Sequence, residues 1–349
     1  MSERVEAVEA RVRDAVSRTS GEDASAWPVR RLAGHASMRS YWRVGTPPRS
    51  RVVMVMPAAS GPEEVTSGGP PPEDPFVNVQ RYLEHAGVRV PRIHAFLPAE
   101  RLMVLEDLGD DMLETRLLAG EPAEPLYQRA IDQLAQLRAR AERAPDPACV
   151  AFGRGFDREV YRWELDHFRE WLLEAWKGAT LPPAERAAVD RAFDSISDAL
   201  AAMPRGFTHR DYQSRNIMVL PGGEQAVIDF QDALLGPRQY DLVALLRDSY
   251  VELPADLVDR MIARYLARLE AEGGPRLDPA DFRAGFDLLT VQRKLKDAGR
   301  FVFIDRVRGN PGFLTSIPAS LRYVREALGR RPDLGALQEI LGRHVPELR

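Results

Sequence analysis

The chain has 349 residues, 44% hydrophobic and 29% charged, with a formal net charge of −4. That length allows two lobes with separate cores, and the slight acidity gives no reason to expect nucleic acid as a partner. Cys149 is the only cysteine, which excludes an intrachain disulfide and a cysteine zinc site. No apolar run approaches the ~18 residues of a membrane span. The start, Met1-Ser2-Glu3-Arg4-Val5, is charged and lacks an apolar h-region, so no signal peptide is expected and a cytoplasmic protein is the default.

In chain order, Val5, Val8, Val12 and Val16 recur at spacings of three and four and predict an amphipathic helix over 3–18. Strands are expected over 29–32, 39–44 and 51–56. Pro57 to Pro75 holds six prolines and three glycines in nineteen residues. That composition supports no packed structure and reads as a mobile loop or a lid. A helix over 76–85 follows, then a strand pair around His94-Ala95-Phe96 and Leu102-Met103-Val104-Leu105. The remainder is helical in pattern: about 123–144, 157–177, 183–202, 238–250, 255–272, 279–298, 316–328 and 333–344. One β island interrupts it, a hairpin of Ile217–Leu220, the turn Pro221-Gly222-Gly223, and Ala226–Ile228. A β-rich first third joined to a helical remainder predicts an α+β, two-lobed fold. The small lobe would be 1–107, the large lobe 108–349, with a hinge near Asp107.

The densest chemistry sits around that hairpin. Thr208-His209-Arg210-Asp211 is followed by Asn216, five residues after Asp211, and by Asp229, thirteen further on. This is the spacing of a protein-kinase-like catalytic loop and metal strand. Phosphoryl transfer to a hydroxyl needs a carboxylate to orient that hydroxyl and accept its proton, here Asp211. It also needs hard oxygen ligands for Mg2+ on the nucleotide phosphates, here Asn216 and Asp229, which the hairpin brings to one end. Each acid alone reads as a solvated loop residue; the joint pattern does not.

On these residues the chain resembles the aminoglycoside phosphotransferase family. Within it the resemblance is greatest to the N-acetylmuramate/N-acetylglucosamine anomeric kinases. Leu32 to Tyr41, Leu105-Glu106-Asp107-Leu108-Gly109 and His209 to Asn216 carry it. So do Ile228-Asp229-Phe230-Gln231-Asp232-Ala233, Gly236-Pro237, Tyr240-Asp241-Leu242-Val243, Leu246-Arg247-Asp248 and Gln292-Arg293-Lys294-Leu295-Lys296. The resemblance implies a protein-kinase-like fold and ATP with Mg2+ as cofactors. It implies transfer to an amino-sugar hydroxyl, above all the C1 hydroxyl of N-acetylmuramate or N-acetylglucosamine, in cell-wall recycling. No obligate protein partner is implied. One departure stands out. Kinases carry a lysine on the third strand, paired with a glutamate on the next helix. The strand Arg51–Met56 has none, and Glu84 comes too late on the helix to make the pair. The resemblance implies that Met54 is tolerated there; Arg39 and Arg215 are the candidate cations for the phosphates.

The remaining candidates divide between function and packing. Gly34-His35-Ala36-Ser37 is either a turn or the loop whose backbone N–H groups cover the phosphates. Glu106, Asp107 and Leu108 would present backbone to the adenine edge. His209 and Asp241 are expected to brace the catalytic loop. Arg215 either faces the transferred phosphate or pairs with Asp232. Trp163, Phe168, Trp171 and Trp176 read as core or lobe-surface aromatics. Arg293, Lys296 and Arg300 share a helix face, either a solvated basic face or part of an acceptor site with Gln231, Asp232, Arg247 and Gln292. Carboxylates, not cations, would line a site for a polycationic aminoglycoside. Two alternatives stay open: an aminoglycoside or other small-alcohol kinase, and a pseudokinase nucleotide scaffold.

Overall fold

A computed structural model describes residues 2–32, 39–57 and 73–349. The loop Gly34 to Ser37 and most of the proline-rich stretch lie outside them. The chain forms two compact units: residues 1–64, 89–111 and 218–228 in the first, and 65–88, 112–217 and 229–349 in the second. Relative to the expected boundary at 107/108, residues 65–88 group with the second unit and 218–228 with the first.

The first unit is built on a five-stranded antiparallel sheet in the order β1-β2-β3-β5-β4. Its strands are Val29–Arg31 (β1), Ser40–Val44 (β2), Arg51–Val55 (β3), Ile93–Leu97 (β4) and Leu102–Glu106 (β5). The register sets Tyr41 opposite Met54 and Met54 opposite Met103. Helix α1 (Ser2–Ser20) closes one face, where Val12, Ala15 and Val16 pack with Trp42, Val44, Val53 and Val104. The period of three and four in α1 and the alternation in β2 and β3 meet in this core. The tip of the catalytic hairpin, strands Ile217–Val219 (β7) and Gln225–Val227 (β8), is fastened here. Val219 N donates to Asp111 O and Val227 N to Arg89 O.

In the second unit, helix α2 (Pro75–His85) starts with Asp74 as its cap and Pro75 in its first turn. Its partners explain its grouping. Asn78 bonds Ala148 O and Val150 N, Phe76 packs on Phe230, and Tyr82 on Phe152 and Phe207. The other helices are Leu113–Leu118 (α3), Ala123–Arg143 (α4), Arg158–Phe168 (α5), Pro183–Ala201 (α6), Tyr240–Leu246 (α7), Ala255–Ala271 (α8), Pro279–Arg308 (α9), Ile317–Leu328 (α10) and Gly335–His344 (α11). No helix among the described residues is long and apolar enough to cross a membrane.

Three sequence expectations change. The hairpin is not the one β island: Arg205–Thr208 (β6) pairs antiparallel with Leu234–Pro237 (β9), a four-residue strand whose Gly-Pro end reads as a turn. The helix expected over 157–177 becomes α5 followed by a π-helical stretch, Arg169–Trp176. The helix expected to stop at 298 runs to Arg308 and ends on Gly309 at φ 65°. Gly299 is not its terminus. A Cβ there would lie 2.7 Å from Phe168 Cα, so glycine lets α9 press against the end of α5.

Candidate active site

Strand β6 delivers the chain to His209, and the loop after it is braced from three buried sides. The first brace is Asp241, in the first turn of α7. Its carboxylate accepts His209 N at 2.8 Å and Arg210 N at 2.9 Å, a bracing role rather than a catalytic one. Burial pushes the Asp241 carboxyl up to about 6, and the two N–H donors only partly counter this. The second is Asp248, whose Oδ2 accepts both Ser214 N, at 2.9 Å, and Ser214 Oγ. The third is Tyr212, whose hydroxyl donates to Ala130 O at 2.9 Å. His209 Nδ1 accepts Asp211 N at 3.3 Å, and Arg210 takes a left-handed φ of 79°. In the sequence Asp248 belongs only to the family resemblance; nothing there predicts its hold on Ser214.

This frame leaves the Asp211 side chain 34% exposed, with one oxygen 3.3 Å from Arg293 Nη2. Asn216 donates its amide N–H to Asp211 O at 2.8 Å. Asp229 has a left-handed φ of 65°, and its Oδ1 accepts Gln231 Nε2 at 3.0 Å. The same amide bridges to Asp232 Oδ2 at 2.9 Å, and Arg154 holds Ala233 O and Gln231 O. Gln231 thus orients Asp229. One amide oxygen and one carboxylate suit a hard cation that takes its other ligands from phosphate and water. No group of three or more acids, histidines or cysteines among the described residues could hold a metal by itself.

On the facing stretch of α9 the reading as a solvated basic face is corrected. Arg293 is 2% exposed, Lys294 2% and Lys296 8%. They surround Asp297, with Lys294 Nζ at 2.8 Å and Lys296 Nζ at 3.2 Å. Burial opposes ionisation of Asp297, yet the cations outweigh it and hold the carboxyl below its ordinary range. Burial pulls Lys294 down, while Asp297 carries Lys296 up against the same penalty. The Arg293 guanidinium lies over Tyr240, 4.6 Å from the ring centroid, and among the described residues its Nε and Nη1 have no hydrogen-bond partner. Gln292 donates to Glu164 at 2.6 Å, with its own Oε1 unpaired.

Not every candidate gathers here. Arg215 is held by Glu114 at 2.8 Å and stacks 3.5 Å from the Tyr250 centroid; its partner is not Asp232. Arg247 is buried against Glu326, Phe286 and Tyr323, none of them in the catalytic loop. Arg300 stands farther along α9, over Phe303. In the first unit Met54 is buried in the sheet. Glu106 turns its side chain to Arg89 and Arg92 N, and its own N–H goes to Arg92 O. Asp107 accepts Arg43, Ser50 Oγ and Gly109 N. The side chains of 106 and 107 therefore hold the segment in place. Leu108 and Arg39 are half-buried.

A carboxylate beside a braced loop, an amide and an acid at one end of a hairpin, and an antiparallel sheet unit with a helical unit define a kinase-like phosphotransferase. The comparisons agree. Residues 28–280 match the model of the phosphotransferase enzyme family (APH), and the chain belongs to that family. It is 36% identical over 310 residues to an N-acetylmuramate/N-acetylglucosamine kinase of Pseudomonas aeruginosa, covering 88% of this chain and 85% of that protein. A protein of the same name from Neisseria meningitidis is 31% identical, with 88% of each covered. Among solved structures, choline kinase LicA from Streptococcus pneumoniae aligns with a TM-score of 0.62 at 16% identity, over 92% of this chain and 99% of that one. A GDP complex of an aminoglycoside phosphotransferase gives 0.61 at 14%, over 92% and 98%. At those identities the structures show the fold.

Proposed function

We propose that this enzyme transfers the γ-phosphoryl group of ATP to the C1 hydroxyl of N-acetylmuramate or N-acetylglucosamine, in the cytoplasm, for cell-wall recycling. The relatives bearing that name support the acceptor, and neighbouring structures with bound AMP or ADP support the nucleotide. The observation that carries the reading is the part-exposed Asp211 carboxylate on its braced loop, with the cationic Arg293 3.3 Å away. A cation beside a part-exposed carboxylate suits an acceptor that offers oxygens. A cation there disfavours a polycationic aminoglycoside.

In this mechanism Asp211 receives the C1 hydroxyl as a hydrogen-bond donor and takes its proton as the O1–P bond forms and the bond to the β-phosphate oxygen breaks. The products are ADP and a sugar 1-phosphate. Asn216 and Asp229 would hold Mg2+, which, when bound, neutralises charge on the phosphates. Gln231 keeps Asp229 in orientation. Arg215, held by Glu114, or Arg39 would supply cationic charge to the phosphates in place of the third-strand lysine.

The test is a nucleotide-consumption screen over N-acetylated amino sugars, hexoses and aminoglycosides, with the phosphate position read by NMR. Turnover of the N-acetylated sugars to an acid-labile C1 phosphate is expected. Turnover of kanamycin without turnover of those sugars would overturn the reading.

A further inference from the structure

Helix α9 carries more than the contact with Asp211. Gln292, Lys296, Gly299 and Phe303 recur at helical spacing and form one stripe that runs along α5 and its π-helical extension. Gln292 meets Glu164, Gly299 lies against Phe168, and Phe303 meets His167 and Trp171 at centroid distances of 5.3 and 5.1 Å. The first of these contacts adjoins Arg293, which bonds Asp211, and Trp163 adjoins Glu164 in the chain. The last, ten residues beyond Arg293, is about 15 Å farther along the helix.

The character of the stripe changes along that length. Near Asp211 it is buried and charged. Toward Phe303 it becomes half-exposed and aromatic. Trp163 stacks on the buried His167 at 5.3 Å and 26° between planes, and no other ring or cation among the described residues lies on it. Trp171 meets Phe303 edge-on at 84°. The π-helical stretch departs from α-helical geometry where Trp171 is presented; such irregularities occur often at functional positions. A core would bury these rings.

We propose that the acceptor site continues into a second subsite, in which another pyranose ring of an N-acetylated saccharide stacks on the indole of Trp163, with Trp171 beside it. This rests on the anomeric reading of the first subsite. With C1 at Asp211, the O4 side of the first ring points away from the reacting atoms, and in this proposal a β-1,4-linked ring lies at Trp163. A pyranose offers an apolar face of C–H groups to an indole and polar edges to its surroundings. The substrate class is therefore a reducing disaccharide of N-acetylated hexosamines as well as the monosaccharide.

The experiment uses the full chain. Intrinsic tryptophan emission is titrated with N-acetylglucosamine and with its reducing β-1,4 disaccharide, and transfer to each is assayed in parallel. The wild type should bind the disaccharide about three- to tenfold more tightly, the worth of one aromatic contact. Trp163→Leu, which keeps apolar volume without a ring, should erase that difference and leave the monosaccharide constants unchanged. Trp163→Phe should restore part of it. Equal affinities in the wild type, or a preference that survives Trp163→Leu, overturn the subsite. If neither sugar is phosphorylated but the ring-dependent preference persists, the anomeric reading fails and the subsite stands. If the monosaccharide is phosphorylated at C1 without any preference for the disaccharide, the subsite fails and the anomeric reading stands.

Discussion

Arg43 in the first unit and Arg293 in the second are both buried beside an aspartate, at 5% and 2% exposure, and differ in how their donors are used. Arg43 is saturated. Nε and Nη2 grip Asp107 at 2.6 and 2.7 Å, Nη1 reaches Asp110 at 2.6 Å, and Ser50 completes Asp107. Arg293 makes one long bond to Asp211 and leaves Nε and Nη1 unpaired. A network that closes on itself builds structure. One that leaves capacity unused, beside the carboxylate we propose for proton transfer, is the place to test for a ligand.

The contrast is sharpened first at the reacting centre. If Asp211 is the proton acceptor, Asp211→Asn should keep nucleotide affinity and lower kcat by roughly 10²–10⁴-fold. Near-normal turnover in steady-state assays would remove Asp211 from the mechanism and favour the pseudokinase alternative.

The second test asks whether Arg43 is structural. Arg43→Met leaves Asp107 buried without its cation and should cost about 3–5 kcal/mol in urea unfolding. A loss below about 1 kcal/mol would show that the Arg43–Asp107 pair contributes little.

Much of this is legible in the sequence, and the parts that are not share a cause. Asp211, Asn216 and Asp229 stand out because phosphoryl transfer fixes residue type and spacing along one short stretch. The sheet and α1 are readable from periodicity. The burial of Arg293, Lys294 and Lys296 is not, because charge on a helix reads as exposure. What overrides this is Asp297 from within and the packing of α5 across Gly299, and the second depends on residues 131 positions apart. Asp248, Glu114 and Glu164 escape notice for the same reason: each acts through a partner distant in sequence. Strand β9 is hidden because its pairing with β6 is its sole strand signal.

Two carboxylates extend the contrast to pH. Asp107 is burdened by burial, but Arg43 and Ser50 more than compensate and hold it low. Its contribution is present above the ordinary carboxylate range and is lost only as pH falls below it. Asp241 has backbone N–H donors and, among the described residues, no ion-pair partner, and burial raises it from 3.8 to about 6 against the pull of those donors, Arg138 and Arg293. Its sign is opposite. The folded chain holds that proton more tightly than the unfolded one, so stability present below about pH 4 is lost as pH rises through about 6. At 1.36 kcal/mol per unit the ceiling is about 3 kcal/mol. Unfolding free energies from pH 4 to 7 for the wild type and Asp241→Asn, which cannot titrate, should diverge in that sense. A constant difference would refute it.

The finest test returns to Arg293. Replacing it with methionine removes a desolvated charge along with one long bond to a part-exposed aspartate and its stacking on Tyr240. The stability change should then stay within about 1 kcal/mol, unlike that of Arg43→Met. The loss should appear in binding instead. A charged hydrogen bond to the acceptor is worth roughly 1.5–3 kcal/mol, a rise in sugar KM of about 10- to 150-fold with the nucleotide KM unchanged. If the contact is to a carboxylate, N-acetylmuramate should suffer more than N-acetylglucosamine, which lacks one. A large stability loss with an unaltered sugar KM would make Arg293 another Arg43, and the open donors would then not mark the acceptor site.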